Sequence, residues 1–172
     1  EMIKLIKDLR ELNKENKLSL FISIDQEGGR VNRMPKEIKN LPVASKLAEG
    51  GEEIVRKSAD ITGKILRKSG YNMNFSPVLD IENKENASKA IGDRSFGESK
   101  QEVSKYGIIT MKALQKNNII SVIKHFPGHG ATKYDSHHFL PVINKKIDDL
   151  ENTDMYPFRE AIKNGADAIL VG

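Results

Sequence analysis

The sequence predicts an α/β chain, a parallel sheet with helices packed outside it, amounting to about half of an eight-fold barrel. Three observations carry this expectation. Apolar stretches of strand length alternate with helical periodicity in the order α-β-α-β-α-β-α-β, the alternation that builds parallel sheets. Polar or glycine-rich segments follow the first three predicted strands, at the edge where parallel α/β folds carry their sites. The length is 172 residues, against the roughly 200 or more of a closed eight-fold barrel. A chain that opens on a helix and closes on a bare strand is expected to be cut at both ends.

Each element has a local reason. Met2, Leu5, Ile6, Leu9 and Leu12 recur at helical spacing and predict an amphipathic opening helix. Ser19 to Ile24 reads as a buried strand that ends in the polar turn Asp25-Gln-Glu-Gly-Gly-Arg30. Pro35 and Pro42 mark a loop. Ile54, Ala59, Thr62, Ile65 and Leu66 predict the second helix, with Gly70 as its stop. Asn72 to Leu79 is strand-like, with Pro77 near its end. Ser99 and Glu102 form a capping-box pattern ahead of a helix carrying Val103, Tyr106, Thr110 and Leu114. Ser121 to Ile123 is a short strand running into Lys124-His-Phe-Pro-Gly-His-Gly130. The last helix spans roughly 155–164, with Pro157 in its first turn, and 166–172 is predicted as a buried strand.

Composition narrows the function classes. Hydrophobic residues are 38%, enough for a core and too many for a wholly disordered chain. There are no cysteines, which excludes a disulfide scaffold, a thiolate metal site and a cysteine nucleophile. No apolar run approaches the ~18 residues of a membrane helix. The net charge is +4, but the lysines alternate with glutamates, so the pattern is a solvated surface and not a nucleic-acid stripe. A cysteine-free chain fits a cytoplasmic and a cell-surface protein alike.

Few residues are placed for chemistry. Lys124 and His125 at a strand end suit gripping the hydroxyls of a polar ligand; equally, His125 is a buried residue satisfied by backbone, with Lys124 at the rim. Asp135 and His137, two apart, can form a dyad in which the carboxylate fixes the imidazole tautomer and makes it a general acid and base; equally, they are an incidental pair in a solvated loop. The histidines are His125, His129, His137 and His138. The His125-x-x-x-His129 spacing is compatible with a metal site, to which Asp135 could add an oxygen, but Pro127 and two glycines argue against one helical face. Asp25 fits hydroxyl binding of a sugar; equally, its turn is only a strand-to-helix connection in which Gly28 and Gly29 allow positive φ. Arg94 either pairs with Asp93 or reaches into the site. Asn74-Phe-Ser76 and Asn86-Ala-Ser88 match the glycosylation pattern, and neither is read as modified.

Taken in order, Ile24-Asp-Gln-Glu-Gly-Gly-Arg-Val31, Asn74-Phe-Ser-Pro-Val-Leu-Asp80, Gly92-Asp-Arg-Ser-Phe-Gly97, Lys124-His-Phe-Pro-Gly-His-Gly130, Asp135-Ser-His137 and Gly165-Ala-Asp-Ala-Ile-Leu-Val-Gly172 carry more than spacing. The chain resembles the family 3 glycoside hydrolases, in particular their β-N-acetylglucosaminidase branch, over nearly its whole length from Ser19. The resemblance implies a TIM-like (β/α)8 barrel, present here in part, and retaining, exo-acting hydrolysis of terminal β-linked N-acetylglucosamine from cell-wall-type glycans. It implies sugar-hydroxyl contacts by Asp25, Arg94, Lys124 and His125. It implies an acid/base role for His137 polarised by Asp135, in place of the usual second carboxylate. It implies no metal and no organic cofactor.

One departure matters. The family's nucleophilic aspartate lies on a later strand and matches no position here; Asp148, Asp149, Asp154 and Asp167 are not in its motif. The chain alone is therefore expected to be inactive. The family's first barrel strand also has no counterpart, so open sheet edges are expected to let the chain self-associate. The competing readings are another family 3 β-glycosidase such as a β-glucosidase, a non-catalytic sugar-binding protein, and a histidine-based metal hydrolase.

Overall fold

The computed structural model describes residues 1–83, 90–130 and 145–172. Asp135, His137, His138 and the Asn86-Ala-Ser88 pattern lie outside the described residues.

The first helix, α1 (Met2–Leu12), is followed by strand β1 (Ser23–Ile24), then by α2 (Ala44–Glu49) and α3 (Glu52–Ser69). Strand β2 (Met73–Asn74) leads through a 3-10 turn at Gly92–Arg94 to α4 (Lys100–Lys116) and β3 (Ile120–Phe126). The chain ends with α5 (Ile147–Asn152), α6 (Tyr156–Lys163) and β4 (Ala168–Val171). The four strands form one parallel sheet in the order β1-β2-β3-β4. Every crossover moves one strand in the same direction, so the sheet is singly wound, as in a barrel, and not reversed about a central strand. The ladder is not closed.

Several local expectations hold. Gly70, at φ +96°, ends α3. The Ser99 hydroxyl accepts the Glu102 amide at 3.2 Å and caps α4. Pro157 stands in the first turn of α6. The core lies in two patches. Val55, Leu79, Phe96, Val103, Met111, Ile123, Phe158 and Ala161 pack where α3, α4 and α6 cover the sheet. Ile6, Ile24, Met34, Leu66, Tyr71, Leu114 and Ile119 close the end beneath α1.

Three expectations are corrected. The strand predicted over Ser19–Ile24 pairs only through Ser23 and Ile24; upstream, the Asn72 side chain replaces the ladder by accepting from the Ile22 amide and donating to the Leu20 carbonyl. The last strand is not buried: Ile169, Leu170 and Val171 are 38%, 37% and 72% exposed, because β4 has a neighbour on one side only. Two short helices, α2 and α5, were not predicted, since six residues are too few to show a helical period.

Candidate active site

The site is built where β1, β2 and β3 end side by side. Asp25 follows β1 directly, and the turn continues to Glu27, two residues on and therefore on the same side of an extended segment. Gly28 and Gly29 then turn the chain back at φ +100° and +52°. Asn74, at the end of β2 and fully buried, locks this turn in place. Its side-chain oxygen accepts the Gln26 amide at 3.0 Å, and its nitrogen donates to the Gln26 carbonyl at 2.9 Å. Asn74 therefore offers no free glycosylation site. The chain passes through the cis Ser76–Pro77 bond, pairs again with β3 at Val78 and Lys124, and reaches Asp80.

Lys124, on β3, is buried and not at the rim, being 1% exposed. Its ammonium pairs with Asp25 and lies 2.5 Å from Glu27 Oε1. Glu27 also takes both arms of the Arg94 guanidinium, with Nε donating at 2.8 Å and Nη2 at 2.6 Å. Arg94 therefore reaches into the site, and its pairing with Asp93 is not seen; Asp93 instead meets Arg30 at 3.3 Å. A third Arg94 nitrogen, Nη1, donates to the Ala90 carbonyl at 2.8 Å. Two carboxylates and two cations thus form a neutral cluster, the arrangement in which charges can be buried.

The electrostatics follow. Burial works to raise the Glu27 carboxyl, but the Arg94 hydrogen bond and the Lys124 and Arg94 charges outweigh it, so Glu27 is held below the usual carboxylate range. Arg94 mirrors it: burial disfavours its charge, and the bond and charge of Glu27 more than restore it, so its proton is held more tightly than usual. Asp25, with its side chain 38% exposed, is the part of the cluster open to solvent.

His125 stands next to Lys124 across a cis peptide bond. It is not satisfied by backbone: its Nδ1 lies 2.6 Å from Asp80 Oδ2. The His125 and His129 rings are 6.1 Å apart and tilted by 56°. Among the described residues no group of three or more His, Asp or Glu is placed to hold a metal ion.

The sheet thus brings together Asp25, Arg94, Lys124 and His125, drawn from separate parts of the sequence. The dyad Asp135–His137 lies outside the described residues. Sequence reading assigned no role to Glu27, Asp80 or Asn74. A signal existed for Glu27 in its two-residue offset from Asp25, and for Asp80 in a carboxylate directly following the apolar Val78-Leu79.

The arrangement is a preorganised set of charged donors and acceptors at the C-terminal edge of a parallel sheet. It defines part of a barrel-type domain with a charged, polar cluster at the strand ends. The chain belongs to glycosyl hydrolase family 3: the model for that family's N terminal domain matches residues 1–172. A beta-hexosaminidase A of Pseudoalteromonas piscicida is 37% identical over 170 residues, covering 95% of this chain and 28% of that protein. The solved structure of a family 3 β-N-acetylglucosaminidase from a Paenibacillus species superposes with a TM-score of 0.92 at 38% identity, covering 99% of this chain and 33% of that one. NagZ from Neisseria gonorrhoeae, solved in complex with N-trifluoroacetyl-D-glucosamine, gives 0.90 at 31% identity and covers all of this chain and 53% of that one. The chain spans between about a quarter and a half of the length of these relatives.

Proposed function

We propose that this chain is the sugar-gripping part of a retaining, exo-acting β-N-acetylglucosaminidase that releases terminal β-linked N-acetylglucosamine from cell-wall-type glycans. The observation that carries the reading is the ion-pair cluster of buried Lys124 with Glu27, Arg94 and the half-exposed Asp25 at the strand ends, in a chain whose relatives bear β-hexosaminidase and β-N-acetylglucosaminidase names. Asp25 accepts from sugar hydroxyls. Lys124, Arg94 and His125 surround the same ring with charged or switchable hydrogen-bond partners. Glu27 keeps the two cations in place before the sugar arrives, so little reorganisation is needed on binding.

His137, oriented by Asp135, protonates the leaving oxygen and later takes the proton of the attacking water. A retaining reaction also needs a carboxylate on the other face of the sugar. Asp25, Glu27 and Asp80 are each already engaged with Lys124, Arg94 or His125, so none of them is free for covalent attack. The nucleophile belongs elsewhere in the full-length protein.

The test is turnover of an aryl β-N-acetylglucosaminide and an aryl β-glucoside by the full-length protein, wild type beside His137→Ala. Preferred hydrolysis of the first, lost on the order of 100-fold or more in the variant, is the expected result. Preference for the glucoside moves the assignment to another family 3 β-glycosidase. Loss of activity to a chelator favours a metal hydrolase, and inactivity on both substrates leaves sugar binding without catalysis.

A further inference from the structure

Asp80 is a fully buried carboxylate to which the resemblance gives no role. Its Oδ2 faces His125 Nδ1 at 2.6 Å, and its Oδ1 accepts the His129 amide at 2.6 Å. The His125 amide approaches both oxygens at 3.3–3.4 Å. The residue itself is pinned, since its carbonyl accepts the hydroxyl of Ser95, also fully buried, at 2.7 Å.

We infer that Asp80 is the positioning residue of the site: it holds the His125 proton on Nδ1, which leaves Nε2 as an acceptor for a hydroxyl of the substrate. An ionised carboxylate can only accept, so an Nδ1 within 2.6 Å of it carries hydrogen. In the neutral ring the remaining nitrogen is then the acceptor. His125 thereby complements Lys124 and Arg94, which can only donate. A sugar hydroxyl both gives and takes a hydrogen bond, and a site with both kinds of partner satisfies it in one orientation. The tautomer assignment does not depend on the hydrolase reading; only its consequence for turnover does.

Asp80→Asn is a discriminating variant. A carboxamide has one accepting end and one donating end. The His129 amide, whose hydrogen cannot be moved, claims the oxygen. The NH2 then faces His125 Nδ1, which must become an acceptor and push the proton to Nε2.

The experiment uses the full-length protein with 15N-labelled histidine. Long-range 1H–15N spectra report the imidazole tautomers, and His125→Gln identifies the His125 signal. The expected result is an Nδ1-protonated ring in the wild type and an Nε2-protonated ring in Asp80→Asn. With it, kcat/KM on an aryl β-N-acetylglucosaminide falls on the order of 10- to 100-fold, the cost of leaving a buried hydrogen-bonding group unsatisfied. A wild-type ring that carries hydrogen on Nε2, whether there alone or on both nitrogens, overturns the inference, whether or not the variant folds. So does a folded Asp80→Asn protein with an unchanged His125 spectrum. An Nδ1-protonated ring in a full-length protein that hydrolyses no glycoside supports the positioning role and removes the hydrolase reading instead.

Discussion

Glu27 has the greatest structural weight of the site residues, since it holds Arg94 in a fork and touches Lys124 from the other side. Glu27→Gln leaves buried Lys124 and the largely buried Arg94 without the carboxylate they share. Removing one partner of a buried pair costs about 3–5 kcal/mol, and thermal melting of the variant against wild type checks this. The same pairing sets a pH dependence. The Glu27 carboxyl is held below its ordinary value in the folded state, so the unfolded chain takes up this proton first as the pH falls. The stabilisation is fully present above the ordinary carboxylate value, about 4.3, and is lost as the pH drops through the lower folded value. Stability should therefore decline below about pH 4 more steeply in wild type than in Glu27→Gln. Urea midpoints taken across that range test the difference.

At the scale of elements, the strand ends are held by backbone contacts that admit no side chain. Gly130 sits against Ile81, and a Cβ there would overlap the Ile81 carbonyl oxygen. Gly130→Ala must displace backbone and not merely a rotamer. Its expected cost is about 1–3 kcal/mol, with a loss of turnover in the full-length protein larger than the change in melting would suggest. Ser99→Ala offers a control at a helix terminus. It removes the cap of α4 at a cost of about 1 kcal/mol and leaves kcat/KM unchanged. Equal effects of the two substitutions on activity would contradict a special role for the Gly130 contact.

Elements with strong periodicity were legible in the sequence. The apolar spacing of α1, the Gly70 stop of α3, the Ser99 cap of α4 and the Pro157 start of α6 are local signals, and all appear as expected. Asp25, Arg94, Lys124 and His125 were legible through their family motifs, and the parallel order explains why they meet. What could not be read was which charge pairs with which. The local pair Asp93–Arg94 loses to a Glu27 partner 67 residues away, because burial rewards the bidentate contact and solvent screens the neighbouring one. The depth of Lys124 and the exposure of β4 were likewise hidden, since both depend on how many neighbours a strand acquires.

Taken as a whole molecule, the sheet presents two edges. Phe21, just ahead of β1, is 70% exposed, and Val171 on β4 is 72% exposed. Apolar side chains beside unpaired backbone groups invite pairing with another chain. The 172-residue chain, prepared alone, is expected to associate in a concentration-dependent way. Phe21→Lys combined with Val171→Lys should shift it toward monomer in sedimentation. A chain that stays monomeric at all concentrations would contradict this account of the edges.

The central claim is that the cluster at the strand ends binds the substrate sugar, and Asp25 tests it most directly. Asp25 is its most solvent-open member, and Lys124 keeps Glu27 as a counter-ion when it is removed. Asp25→Ala should therefore leave the full-length protein folded, with a melting temperature within a few degrees of wild type. Its kcat/KM on an aryl β-N-acetylglucosaminide should fall on the order of 100-fold, the loss of one or two hydrogen bonds to a charged acceptor. Turnover within about two-fold of wild type, a difference far below even one such bond, would mean that the sugar binds somewhere else.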